Sequence, residues 1–395
     1  MREDGCQMGA LSGYKVLDFS TLLPGPYATM TLADLGAEVL KVSGKDKYDL
    51  VVNWPPVIEG ASVTGAQAWL GRGKKTIHLN LKKAAAVEAV KKLITEYDII
   101  VEQFRPGVMK KLGLGYDELR RVNPRIIYCS ITGYGQTGPL SLRAGHDINY
   151  MARAGIAAAA GRRDQGPSLY NFQIADVAGG SMNAVTSILA AIIYRERTGE
   201  GQYIDVSMQD SIVPFNSMDG ASYFAGGNAP ARESGLLNGG GIYDFYETSD
   251  GGYVSVGSLE PKFWAALCDR LGFTDWRNGK ILKTDQPMVK TTLRKTFLSK
   301  TLEEWKEIFA EADACVEPIM SIEEVSRDEH LVSRGMWPEV EIPLTDGRTI
   351  RQMGSPIHLS ASPVEYRHAG YPEGYHTGEI LRGLGYSDEE IEEMT

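Results

Sequence analysis

The strongest constraint on this chain is an alternation in its first half. Short runs of β-branched and apolar residues take turns with stretches whose apolar positions recur at helical spacing. YKVLDFS (14–20) is followed by the turn LLPGP, by YATMTLADLGA, and then by a second apolar run, EVLKVSG. KKTIHLNL, KAAAVEAVKKLITEY and DIIVEQF repeat the pattern, and RIIYCSITG (125–133) adds another strand. A long apolar helix opens near residue 176, ends in YRERTGEG, and leads into the strand QYIDVSMQD. Short strands alternating with helices predict a parallel sheet with helices on its faces. Gly36 stands where a helix ends. In an open sheet of this kind ligands sit beyond the carboxyl ends of the strands, so residues just after each predicted strand are candidates for function.

The texture changes after residue 224. FAGGNAPARESGLLNGGG (224–241) reads as a linker or mobile loop. IYDFYETSDGGYVSVGSLE reads as a hairpin turned at SDGG, and PKFWAALCDRLG and TLEEWKEIFAEA read as amphipathic helices. The expected partition is a large α/β domain (1–224), a smaller α+β domain (225–325) and a C-terminal segment (326–395) whose GRTIRQMGSPIHLS returns to the first domain. A length of 395 residues agrees with two domains.

A net charge of −10 argues against nucleic acid or a membrane surface as partner, since both want a positive field. Cys6, Cys129, Cys268 and Cys315 form no CxxC pair, so neither a zinc site nor a disulfide framework is expected and no metal is assigned. MREDGCQMGALSG carries no apolar signal region, and AVTSILAAIIY (184–194) is too short to span a membrane and reads as a core helix. A cytoplasmic location is expected.

GYGQTG (133–138) follows a strand and matches GxGxxG, yet Pro139 and LSLRAGHD follow it in place of a helix, and no acidic residue stands where a ribose partner belongs. A nicotinamide site is therefore rejected; Tyr134 and Gly135 instead belong to a tight turn or a close approach to a ligand. Lys41, Arg72, Lys74 and Lys75 (in GRGKKT, 71–76), and Phe104 and Arg105 (in VEQFRPGV) are read as lying at strand ends. Singly each is a solvated charge; together they suit phosphates and a stacked base, hence a nucleotide-like ligand. Asp176 in NFQIADVAGGSMNAV opens the long helix, where the helix dipole and free N–H groups keep a carboxylate ionised; an ordinary cap is the competing reading. The glycines after it make sense if something packs closely on that turn. His146 in AGHDINYMARAG (144–155) is as readily an inert loop residue as an acid/base group, and Glu260 before Pro261 is as readily a cap as a functional carboxylate.

Taken in order, LSGYKVLDFSTLLPGPYATMTLADLGAEVLKV, FRPGV, LGLGYDEL, NPRIIYCSITGYGQTGP, AGHDINY, ADVAGGSM, RERTGEGQYIDVSM and VGSLEPKF resemble the class III CoA-transferase superfamily, the carnitine and bile-acid CoA-transferase group, over nearly the whole chain. Two chemistries occur in it. The transferases use the aspartate of D…GG as a nucleophile. The α-methylacyl-CoA racemases keep it as an acid/base and add a histidine in GHDINY and a glutamate in GxxEPxF. Here those residues are Asp176, His146 and Glu260, and NGGGI lacks the glutamine that ends the glycine loop of transferases. The resemblance thus implies a 2-methylacyl-CoA racemase, with acyl-CoA:carboxylate CoA transfer through Asp176 as the alternative. It implies His146 and Asp176 on opposite faces of the α-carbon, with Glu260, and with Asp147 in support, orienting His146. Enolate donors are expected among the backbone N–H groups at the start of the Asp176 helix. It implies a Rossmann-like CoA-binding domain, CoA as part of the substrate with no prosthetic group, and an interlocked homodimer in which Glu260 acts either in cis or in trans. Lys41, Arg72, Lys74, Lys75, Phe104, Arg105, Tyr134 and Gly135 are the candidate CoA contacts.

Overall fold

The computed structural model describes residues 8–47, 49–283 and 285–395; Cys6 lies outside them. The chain forms two compact units. The first comprises the residues up to Ala154, Phe172–Val213 and Glu329–Thr395; the second comprises Gly155–Asn171 and Pro214–Asp328.

The first unit is built on six parallel strands: β1 (Lys15–Asp18), β2 (Glu38–Ser43), β3 (Lys74–His78), β4 (Ile99–Glu102), β5 (Ile127–Thr132) and β6 (Gln202–Ser207). Their order is β3-β2-β1-β4-β5-β6. Val16, Leu17, Ile100, Val101, Ile127 and Ile131 are buried, as expected of strands covered on both faces. The chain runs outward from β1 to β3 and then, from β4, outward the other way. The loops after β1 and β4 therefore diverge from a topological switch point, the place where such sheets bind ligands.

Helix Pro24–Asp34 packs with β1 and β2 and with the long helix Met182–Thr198, which also lies against β5 and β6. Ala175–Thr198 is long and apolar enough to cross a membrane by length and composition. Here Ile188, Ala191 and Ile192 are buried in the protein, and Arg195, also buried, pairs with Asp98 at 2.8 Å. The C-terminal segment closes over β3: His376 donates its N–H to the Thr76 carbonyl, and the N–H of Thr76 reaches His376 Nδ1 at 3.2 Å.

The second unit holds the antiparallel strands β7 (Asp244–Glu247), β8 (Tyr253–Val256) and β9 (Val316–Pro318). Helices Pro261–Leu271, Gln286–Phe297 and Leu302–Phe309 bury Trp264, Phe297, Trp305 and Phe309 against them. The borders differ from the expected partition. Gly155–Asn171 joins this unit because Arg162 makes a bidentate pair with Asp244 (2.8 and 2.7 Å) and bonds Glu233 at 3.0 Å. Lys290 adds a 2.7 Å pair to Asp244 and bonds the carbonyl of Gly239. The stretch 224–241, expected to be a linker or mobile loop, is accordingly bolted down at Glu233 and Gly239.

Candidate active site

The loops that leave β1 and β4 form one wall of a cavity of about 440 Å³. Thr21 and Leu22 come from the first loop, Gln103, Phe104, Arg105 and Pro106 from the second. Gln103 ties the two together, its Oε1 accepting the N–H of Gly25 at 2.9 Å. Asp49 fixes Leu22, in the left-handed region at φ 60, by accepting its N–H at 2.9 Å. The other wall comes from the segment after β5 and includes Thr132, Gly133, Arg143, His146, Asn149 and Tyr150. A side chain at Gly133 would place its Cβ 2.4 Å from the Tyr150 ring, so glycine there lets the ring close the cavity.

His146 is the exposed residue just before helix Asp147–Arg153, and its backbone N–H is held by Asn149 Oδ1 at 3.0 Å. The next residue joins it to the Asp176 segment: Asp147 Oδ1 accepts the N–H groups of Ala175 (2.6 Å) and Asp176 (3.1 Å). Two expectations are corrected by this contact. Those N–H groups are already bonded, so they are not the donors for an enolate oxygen, and Asp147 braces the Asp176 segment by hydrogen bonds. The surroundings of Asp176 also reverse its expected electrostatics. Burial pushes its carboxyl up to about 7, and the charge of Asp147 adds to the shift, where a free helix terminus would have kept it ionised.

Asp176 is not an ordinary cap. It lies in a π-helical turn, Ala175–Ser181, that precedes helix Met182–Thr198. Gly179 and Gly180 are needed there: a Cβ would come within 2.9 Å of Ile212 and 3.0 Å of Pro24, respectively. The close packing anticipated from the glycines is thus against protein, and it fixes the turn that carries Asp176.

Glu260 stands immediately before helix Pro261–Leu271 in the second unit, exposed, with no side-chain bond to the helix end. The capping role weighed from sequence is therefore absent.

A second cavity of about 480 Å³ adjoins the first, sharing Thr21 and Phe104 with it. Lys41, Lys45, Lys47 and Lys82 line it, with Asp46, Asp49 and Glu373 among them and Leu79, Leu81, Val108 and Leu112 as its apolar part. Lys47 Nζ sits 4.7 Å from the centre of the Phe104 ring. Of the expected phosphate contacts, Lys41 and Phe104 belong here and Arg105 lines the first cavity.

The others serve the fold. Arg72 is buried and forms a two-pronged pair with Asp34 (2.9 and 2.6 Å), its remaining donors reaching Gln352 and the Met353 carbonyl. Lys74 is buried against Asp18 (3.4 Å), Thr29 (2.7 Å) and the Pro26 carbonyl (2.8 Å), and it starts β3 at the end opposite the ligand edge. Lys41, 3.7 Å from Asp18, and Lys74 together hold Asp18 at about 2, while burial lowers Lys74 to about 8. Lys75 pairs with Glu379 at 3.2 Å outside both cavities. Tyr134 is buried edge-on against Tyr150, and Gly135 makes its turn at φ 80; neither lines a cavity.

Sequence reasoning passed over Thr21, Gln103, Arg143 and Asn149. The rule that ligands sit at the switch point could have found the first two, once the order of the strands was known. It also passed over Glu102 at the end of β4. This buried carboxyl accepts the Phe104 N–H at 2.8 Å and the Ser130 hydroxyl, and burial pushes it up to about 7.

Comparison with known proteins matches residues 11–377 to the profile of CoA-transferase family III. Alpha-methylacyl-CoA racemase of Homo sapiens is 34% identical over 388 residues, covering 98% of this chain and 96% of the relative. Succinyl-CoA:glutarate CoA-transferase of Homo sapiens is 32% identical, covering 97% of this chain and 88% of the relative. Among solved structures, a CAIB/BAIF family protein from Brucella suis superposes with a TM-score of 0.82 at 26% identity, over 96% of this chain and 100% of that one.

Proposed function

Because this chain belongs to CoA-transferase family III, we propose that it is a 2-methylacyl-CoA racemase that moves the α-proton through an enolate. The observation that carries the reading is geometric: His146 lines the cavity at the switch point, and its neighbour Asp147 is bonded to the turn that bears Asp176. The state of Asp176 supports it. A nucleophilic carboxylate works ionised, whereas a group held near 7 is present both as acid and as base at neutral pH, as reversible proton transfer requires. His146, joined to the Asp176 turn through Asp147, supplies the second group.

In one direction the His146 imidazole takes the α-proton, the electron pair moves into the thioester carbonyl, and protonated Asp176 returns a proton to the other face. The enantiomer uses the same groups with their roles exchanged. The thioester acidifies the α-carbon, so the chain's own residues need only position, protonate and deprotonate. CoA would lie with its nucleotide in the lysine-lined cavity and its pantetheine crossing Thr21 and Phe104 toward His146. Lys41, Lys45, Lys47 and Lys82 would meet phosphate, and the Phe104 ring and Leu79 the base.

An interlocked homodimer is part of the proposal. The second unit exposes Phe224 (87%), Leu169 (80%) and Met218 (66%), apolar surface of the kind that associating proteins cover. Glu260, exposed in the same unit, would then orient His146 of a partner chain.

The experiment uses one enantiomer of a 2-methylacyl-CoA in D₂O with no free acid added. Deuterium entering the α-position with loss of optical activity, abolished by His146→Ala, supports the reading. CoA transfer to an added carboxylic acid without α-exchange replaces it with the transferase chemistry of the 32% identical relative.

A further inference from the structure

The cavity that holds His146 carries charge of one sign. Arg105 and Arg143 both line it, and no aspartate or glutamate does among the described residues, in a chain whose net charge is −10. Neither guanidinium has a carboxylate within ion-pair distance among the described residues. Thr132 lines the same cavity; it is 6% exposed, and its hydroxyl oxygen is buried without a partner among the described residues. A buried hydroxyl left unpaired costs stability unless a ligand satisfies it, and unpaired guanidinium groups are forks shaped for planar anions.

The anion is identified by the neighbouring cavity. The lysine-lined cavity shares Thr21 and Phe104 with this one. A CoA thioester whose nucleotide lies among those lysines brings its acyl end, not its phosphates, past Phe104 to His146. We propose that Arg105, Arg143 and Thr132 form a carboxylate-binding subsite, and that the acyl chain racemised is a short 2-methyl-branched one ending in a carboxylate. This rests on the racemase reading above for the reaction, while the subsite itself rests on the cavity wall.

The test compares two thioesters of matched shape, 4-carboxy-2-methylbutanoyl-CoA and 2-methylpentanoyl-CoA, by α-proton exchange in D₂O. A charge-assisted bidentate contact predicts kcat/KM higher by about 10- to 100-fold for the carboxylated thioester. Arg143→Gln should bring that ratio to within about threefold of unity, with the Kd of free CoA unchanged. Arg143 is exposed, so the variant is expected to fold. Equal exchange of the two thioesters by the unmodified protein overturns the subsite. So does a preference that survives Arg143→Gln, or a variant whose loss falls on CoA binding and leaves the ratio intact. Exchange of neither thioester sinks the racemase reading, and the subsite is then read from CoA transfer to hexanedioate against hexanoate. A preference for the diacid that Arg143→Gln erases keeps it; equal transfer removes it.

Discussion

Replacing Asp176 with asparagine should make the protein more stable while removing its activity, and the gain should depend on pH in a defined way. The carboxyl is held at about 7 in the folded chain against an ordinary 3.8. A shift of about 3 units corresponds to about 4 kcal/mol of disfavoured ionisation, and about 2 kcal/mol is the working figure once the solvent that still reaches the group is allowed for. The sign follows from linkage. The folded value is raised, so the unfolded chain releases this proton first as pH increases. The favourable neutral form is fully present below about pH 4, and its contribution is lost as pH rises through about 7. Asparagine keeps the shape and does not titrate. The stability difference, Asp176→Asn minus unmodified protein, should therefore be near zero at the acid end and grow with pH. It should level off at about 2 kcal/mol above pH 7. Urea unfolding followed by circular dichroism at several values between about pH 5 and about pH 8 measures it, because all other titrating groups cancel in the difference. A difference that stays flat over that window, or shrinks as pH rises, would refute the assignment of a raised Asp176.

Asp147→Asn keeps an acceptor for the N–H groups of Ala175 and Asp176 but removes a charge; since burial is the larger cause, the Asp176 midpoint in the pH profile of α-exchange should fall by about 0.5 to 1.5 units, and an unmoved midpoint would exclude the coupling. Asp18→Asn strands Lys74 in the core and should cost about 3–5 kcal/mol in thermal or urea unfolding, with part regained in Asp18→Asn/Lys74→Met; loss under about 1 kcal/mol would count against the buried pair. Because Asp18 is depressed to about 2, its contribution is present above about pH 4 and is lost as the pH falls toward 2. Asp244→Asn should release the stretch around Glu233 and Gly239, read as faster amide exchange confined to that stretch and its Arg162 partner segment; exchange rates unchanged there would show that the ion cluster does not hold it.

Several features were legible in the residues alone, because they are local. The alternation of short apolar runs with helical spacing produced the parallel sheet, and SDGG between alternating runs produced the β7–β8 hairpin, with Tyr246 opposite Val254. His146, Asp176 and Glu260 were singled out only through the resemblance carried by GHDINY, ADVAGG and GSLEPKF; the residue types by themselves left an inert loop residue and two helix caps as competing readings. What only the tertiary structure decided is which groups meet. Arg72 and Lys41 look alike as cations near strands. One is answered by Asp34 and by Gln352, far away in sequence, while the other pairs with Asp18 and also lines a cavity. The strand order decided where the switch point falls, and so made Thr21 and Gln103 cavity residues. Asp147, folding back onto the Asp176 turn, decided that the expected anion donors are occupied, while burial in the fold, with the Asp147 charge adding to it, raised the Asp176 carboxyl to about 7. Periodicity and turns arise from interactions between residues close in the chain. The charge state of a buried group depends on desolvation and on neighbours brought in from anywhere, and no window of sequence contains them.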